Sequence, residues 1–243
     1  MSVSLTLIDR ITARLSDGKA LPRPRFAPEL SYGRHRGPAK PQSRRAAVAV
    51  TLYHCPDQGW VIPLTLRPLS LQHHGGQVCF PGGRVEADET VFQAALREFR
   101  EEVGVDAKVI RCCGQLSPQY VYASDNLVHP VVAFIEYPEP WNPDPVEVAE
   151  VIPLPLSRLL QWLPAAVQNH SELLTQASVR SHPETGQSMP THDVISHRGV
   201  ISGGVEVDQL RFRTPAVTWL GHRIWGATVM ILDQLAQVMH QAK

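Results

Sequence analysis

Between Pro81 and Val105 the chain reads PGGRVEADETVFQAALREFREEVGV. A glycine pair leads into a stretch of helical periodicity, and that stretch closes on three acids, Glu98, Glu101 and Glu102, just ahead of Gly104. At about 100° per residue Phe92, Leu96, Phe99 and Val103 share one face, joined by Ala95, and this is the face expected to be buried. Glu98 and Glu102 lie four apart with Glu101 beside them, so the spacing brings three carboxylates together on another face. Each like-charged i,i+4 pair costs about 0.2–0.5 kcal/mol, and the helix dipole opposes a carboxylate near the C-terminus by a similar or larger amount. Arg97 and Arg100 offset this repulsion only by folding back over the acids. The helix is expected over about residues 89–103, with Asp88 as N-cap, Glu89 in the first turn and Gly104 as a left-handed C-cap.

A divalent cation reverses that balance. Convergent carboxylates are hard oxygen ligands suited to Mg²⁺ or Mn²⁺, and Mg²⁺ commonly shares its coordination with substrate phosphates. Such an ion neutralises phosphate charge, orients a diphosphate and supplies a hydroxide-like nucleophile, with a neighbouring Glu as general base. Glu-rich helical surfaces are ordinary, and REFREE alone is a weak signal. The glycine pair immediately upstream, where backbone approaches a ligand closely, makes this one more specific.

Gly83, five residues, Glu89, seven residues, then Arg97-Glu98-Phe99-Arg100-Glu101-Glu102-Val103-Gly104-Val105 resembles the Nudix box, with Phe99 in place of the more usual aliphatic residue. The resemblance implies an α/β (α+β) Nudix fold, a mixed β-sheet sandwiched between helices with the box as loop–helix–loop. It implies hydrolysis of a nucleoside diphosphate linked to another group, with Mg²⁺ or Mn²⁺ as cofactor. By position, Glu98 and Glu102 are the main metal ligands, Glu101 assists, and the Gly83 carbonyl adds an oxygen. Glu98, Glu101, Glu102 and Arg97 form the implied catalytic set. Arg97 is expected to hold a glutamate through a charge-assisted hydrogen bond, with Glu89 as its partner. Glu89 and Gly104 are structural. Which acid is the general base is left open.

The box does not choose the substrate. LTLRPLSLQHHGGQVCFPGG, residues 64–83, is similar to the segment preceding the box in the coenzyme A pyrophosphatase branch: Leu64, Thr65, Arg67, Gly76, Phe80, Pro81, Gly82 and Gly83 match, and His74 and Gln77 also suit it. EVAEVIPLPLSRLL (147–160) and HRIWGATVMIL (222–232) resemble later parts of that branch. The resemblance implies Arg67, Gln77, Gly82 and Gly83 as substrate-binding positions. It implies cleavage of CoA or a CoA derivative to 3',5'-ADP and 4'-phosphopantetheine. Pro63, Pro68 and Gln72 depart from the pattern, and the arginine missing at Gln72 removes a bidentate phosphate donor. Hydrolysis of ADP-ribose or a related nucleotide is therefore one alternative, and a non-catalytic nucleotide-sensing module on the same fold is another. Glu147 and Glu150 are open as remote metal ligands or as surface and strand-cap residues.

The rest of the chain is consistent with one α/β body. A helix is expected over residues 3–16, where Leu5, Ile8, Ile11 and Leu15 recur at helical spacing, and strands over 46–54, 59–68 and 75–83. Further strands are expected in 107–117, 126–138 and 203–215, a strand leading into a helix near 156–163, and an amphipathic helix over about 222–241. This divides the chain into a helix and Pro/Arg-rich lead-in, 1–45, and a hydrolase domain, 46–243, carrying a polar insertion at about 166–204. With 43% hydrophobic residues the chain builds a sizeable core. Lys+Arg and Asp+Glu are both 23, which argues against an electrostatic nucleic-acid partner. Basic residues concentrate between Lys19 and Arg45, either as a solvated lead-in or as a phosphate-facing rim. The four cysteines form no CxxC pair, and neither a signal peptide nor a membrane-length apolar run is seen. The expectation is a cytoplasmic protein with free thiols, a small CoA-like substrate and no membrane partner. The oligomeric state, monomer or homodimer, is left open.

Overall fold

The computed structural model describes residues 2–24, 39, 41–71, 74–121, 124–138, 140–162, 191–196, 199–200, 206–207 and 210–242. Most of the expected polar insertion, part of the basic lead-in and Gln72 lie outside them. In chain order come α1 (Ser2–Ser16), β1 (Arg44–Cys55), β2 (Gly59–Leu66), β3 (Val78–Cys79), β4 (Gly82–Arg84) and α2 (Val91–Val103). Then follow β5 (Val109–Gln115), β6 (Gln119–Val121), β7 (Asn126–Ile135), β8 (Glu150–Pro155) and α3 (Leu156–Trp162). The last elements are β9 (Thr191–Ser196), β10 (Gly199–Val200), β11 (Glu206–Val207), β12 (Leu210–Trp219), β13 (His222–Trp225) and α4 (Gly226–Gln241).

The main sheet runs β3-β2-β1-β7-β5, with β4 on β1, β6 on β7 and β8 on β2. It is mixed, because β1 pairs parallel with β7 while its other pairings are antiparallel. Successive side chains of a strand alternate between faces, and β1 shows what that achieves. Ala47 and Ala49 face α2, where their small size admits Ala94, Ala95 and Phe99. Val50 and Leu52 face the opposite side, packing in one core with Ile8 and Ile11 of α1, Leu159 of α3 and Leu232 and Leu235 of α4. The sheet is thus sandwiched between α2 and the other three helices.

Two boundaries and the character of the last helix differ from the expectation. Residues 75–83 form two short strands, because Phe80 and Pro81 interrupt the run between them. Residues 222–225 pair with β12 as a strand, so the last helix starts at Gly226. That helix is not amphipathic: every residue from Thr228 to Met239 is buried, including Asp233, Gln234 and Gln237. Its polar groups are partnered. The Gln234 side chain accepts from the Ser117 N–H at 2.9 Å and donates to the Pro22 carbonyl at 2.6 Å, and Gln237 donates to the Arg23 carbonyl at 3.1 Å. Within the expected insertion the described residues are strands, and β9 pairs with β12. No described helix is long and apolar enough to cross a membrane, and the described cysteines are free.

Candidate active site

Helix α2 starts later than its charges suggest. Thr90 is the N-cap, and a reciprocal capping box with Gln93 satisfies two backbone donors. Asp88 instead takes a left-handed turn conformation (φ 64°). Glu89 therefore precedes the helix, and there it meets Arg97. The guanidinium donates to it through Nε at 2.9 Å and through an Nη at 3.1 Å, a two-pronged grip that lowers the Glu89 pKa. The same guanidinium donates to Glu98 at 3.0 Å, to Glu101 at 2.9 Å and to the Arg84 carbonyl at 3.1 Å. Arg97 is therefore the hub that neutralises the crowded end of the helix, whereas Arg100 turns away to Asp106 at 2.8 Å.

At the other end Gly104 adopts the left-handed conformation (φ 66°), and its N–H donates to the Arg100 carbonyl. The last helix carbonyls are capped from outside: the N–H groups of Asn142 and Asp144 donate to Val103 and Glu102, each at 3.1 Å. This folds the loop after β7 over the helix end. A side chain at Gly104 would collide with the Asn142 backbone.

The acids do not share one face. The buried stripe is Val91, Ala94, Ala95, Phe99, Glu102 and Val103, rotated from the expected one so that Phe92 and Leu96 are only half-buried and Glu102 points inward. The Glu102 side chain is 3% exposed, Glu98 15% and Glu101 60%. Glu101 is thus a solvent-facing partner of Arg97. Among the described residues no three His, Cys, Asp or Glu side chains close on one metal-sized point.

Glu102 carries the largest electrostatic anomaly of the site. Burial raises its pKa to about 8, with further upward push from Glu147 and Glu98, against Arg67 and a hydrogen bond from the Gly82 backbone. Its Arg67 partner is 3.9 Å away, too far for a good hydrogen bond, and Glu102 Oε2 is buried with no partner. Arg67 Nε is also buried without one. Burial likewise raises the Glu98 pKa, opposed by Arg97. Glu98 lies against Gly83, where any added Cβ would overlap its carboxylate. A buried carboxylate with an orphaned oxygen and a half-buried one that repels it, beside a glycine with no room for a side chain, fit a hard divalent cation as the missing partner. Glu98 and Glu102 are the residues that could hold it.

Beside this pair opens a cavity of about 430 Å³. Arg67, Gln77, Gly82 and Gly83 all line it. So do residues that sequence reasoning did not assign to the site, among them Arg84, Trp225 and Thr228. Thr228 is fixed by donating to the Val78 carbonyl at 3.1 Å. Cys79 sits on the cavity wall against Thr65. Glu147 carried a signal in sequence, and its charge acts on both Glu98 and Glu102.

The NUDIX domain family model matches residues 43–177, just over half of the chain. Proteins of Salmonella paratyphi B and Salmonella newport, each named uncharacterized Nudix hydrolase NudL, are 38% identical over 119 residues, covering 49% of this chain. The matched segment spans 60% of the length of these curated relatives. Among solved structures, the Nudix hydrolase RenU from M. smegmatis aligns with a TM-score of 0.40 at 22% identity, covering 49% of this chain and 74% of that one. The MutT protein from Methanosarcina mazei Go1 aligns at 0.39 and 20% identity, covering 49% and 80% respectively.

Proposed function

This chain belongs to the NUDIX domain family, and from that premise we propose that it is a metal-dependent pyrophosphohydrolase cleaving the diphosphate of coenzyme A or a CoA derivative, its hydrolase domain extending over residues 46–243. The observation that carries the reading is the buried Glu102 carboxylate, one oxygen unpartnered, next to Glu98 at the edge of an arginine-lined cavity. When bound, Mg²⁺ or Mn²⁺ would neutralise phosphate charge and lower the pKa of a water for attack on phosphorus.

The chain's own residues supply the rest. Arg97 fixes Glu98 and Glu101 from one side and is itself braced by Glu89, so the acids are held before substrate arrives. Gly83 leaves the Glu98 carboxylate its space. Arg67, with Nε unpartnered, faces the cavity and suits a diphosphate oxygen, which would satisfy that donor. Glu101 reaches this site only through Arg97, so we assign it a positioning role. Glu147 is a candidate base or outer ligand. The match of residues 64–83 to the branch pattern supports CoA over other nucleotides.

The test is incubation of the purified protein with CoA and acetyl-CoA in Mg²⁺ or Mn²⁺, with products identified by mass. Release of 3',5'-ADP and the matching phosphopantetheine is expected. Turnover of ADP-ribose with none of CoA or its thioesters would overturn the substrate assignment, and no metal-dependent turnover of any diphosphate would overturn the enzymatic one.

A further inference from the structure

The cavity carries more positive charge than a diphosphate needs. Arg67 and Arg97 already face the acids Glu98 and Glu102, and a bound dication would balance the two charges of a diphosphate. Three further arginines, Arg44, Arg45 and Arg84, also line the cavity. All three are exposed, and among the described residues no carboxylate forms an ion pair with any of them.

Strand register brings their backbones to one end of β1, and all three residues line the cavity there. Arg44 and Arg45 open β1, with Asn126 and Leu127 of β7 as their neighbours. Arg84 pairs across β1 with Ala46, and the N–H of the following residue, Val85, donates to the Arg45 carbonyl at 3.0 Å. The same pairing sets Gly83 opposite Ala47, and Gly83 is where Glu98 packs. Counting along β1 from Ala47, the paired arginines lie two and three residues away, about 7–10 Å at the rise of a strand. Arginines on the cavity lining that meet no carboxylate among the described residues offer the donors an anion needs.

We propose that Arg44, Arg45 and Arg84 hold a phosphomonoester on the nucleotide half of the substrate, so that the protein selects a diphosphate that carries a third, terminal phosphate. A phosphomonoester brings about −1.5 to −2 charge and three acceptor oxygens, matching a cluster of forked donors. This rests on the hydrolytic reading above and adds to it the determinant of substrate choice. In CoA the group in question is the phosphate on the ribose.

The experiment has two arms. In the first, kcat/KM is measured for CoA and for dephospho-CoA, which lacks only that phosphate, with the wild-type protein, an Arg44→Ala/Arg45→Ala double variant, Arg84→Ala and the double lysine variant. The wild type is expected to favour CoA by at least about 30-fold, the alanine variants to lose about tenfold or more of that ratio, and lysine to restore part of it. A wild-type ratio near one, or a ratio that the alanine variants leave intact, overturns the proposal. The second arm needs no hydrolysis: calorimetric titration with 3',5'-ADP and with 5'-AMP. Tighter binding of 3',5'-ADP that disappears in the double variant upholds the arginine site even where no diphosphate is cleaved, an outcome that would sink the hydrolytic reading alone. Equal binding of the two nucleotides by the wild type overturns the arginine site.

Discussion

Replacing Glu102 by Gln should make the metal-free protein more stable, an unusual outcome for a change in a buried residue. The carboxyl sits at 3% exposure with one oxygen unpartnered, and its pKa moves from 4.5 to about 8, chiefly through burial. A raised carboxyl pKa means that the folded state binds the proton more tightly than the unfolded chain. The folded state is therefore penalised progressively as pH rises from about 4.5, with the penalty levelling off above about 8. At about 1.36 kcal/mol per pKa unit, the handicap at pH 7 is about 3 kcal/mol. Glutamine keeps the shape and removes the charge but still buries an amide with too few partners, so a gain of about 1–2 kcal/mol is expected. Urea denaturation in EDTA at pH 5, 7 and 9 reads this directly. The wild type should lose stability across the series, and the variant should lose less. Adding millimolar Mn²⁺ should then raise the stability of the wild type and leave the variant nearly unmoved, because only the wild type offers the charged ligand. A variant less stable than wild type in EDTA, with the same pH slope, would refute the claim that this charge is held without compensation.

The other predictions follow from single contacts. Gly83→Ala places a methyl group in the space of the Glu98 carboxylate; turnover should fall at least about 100-fold while the circular dichroism spectrum is retained. Arg97→Lys cannot reproduce the two-pronged grip on Glu89 while also reaching Glu98 and Glu101; kcat should fall about 10–100-fold with KM changing less, checked by steady-state kinetics. Phe99→Ala empties a site 2% exposed under α2 and should cost about 3–5 kcal/mol in denaturant titration. Gln234→Leu strips partners from Ser117 and from the Pro22 carbonyl; a loss of about 1–3 kcal/mol, with faster proteolysis near residue 22, is expected.

Much of this molecule was readable before its structure. The strands β1, β2, β7 and β8 and the helices α1 and α2 follow from apolar spacing, because each buries a contiguous face. Glu98, Glu101 and Glu102 could be placed at the end of one helix because their offsets match the helical period, and the resemblance to the Nudix box implied the loop ahead of it. What sequence missed depends on neighbours distant in the chain. The start of α2 turns on which of Asp88 and Thr90 bonds the backbone, and Gln93 decides it by returning the bond. Glu102 reads as a surface acid by type, yet the helix is rotated to point it inward, since the helix seats the small Ala94 and Ala95 against Ala47 and Ala49. The full burial of α4 requires α1, α3 and the lead-in to cover it, and no local pattern reports that. The charge excess at Arg44 and Arg45 was visible as part of a basic stretch, but only the pairing of β1 with β4 brings it beside Gly83.

The central claim is that Glu98 and Glu102 are crowded together because a dication joins them to a diphosphate. Its most direct test is Mn²⁺ binding followed by electron paramagnetic resonance, for the wild type and for the Glu98→Gln and Glu102→Gln variants, with and without CoA. The account predicts that the wild type binds Mn²⁺ at a site perturbed by CoA and that each variant weakens binding at least about tenfold. Equal Mn²⁺ affinity in all three proteins would contradict it.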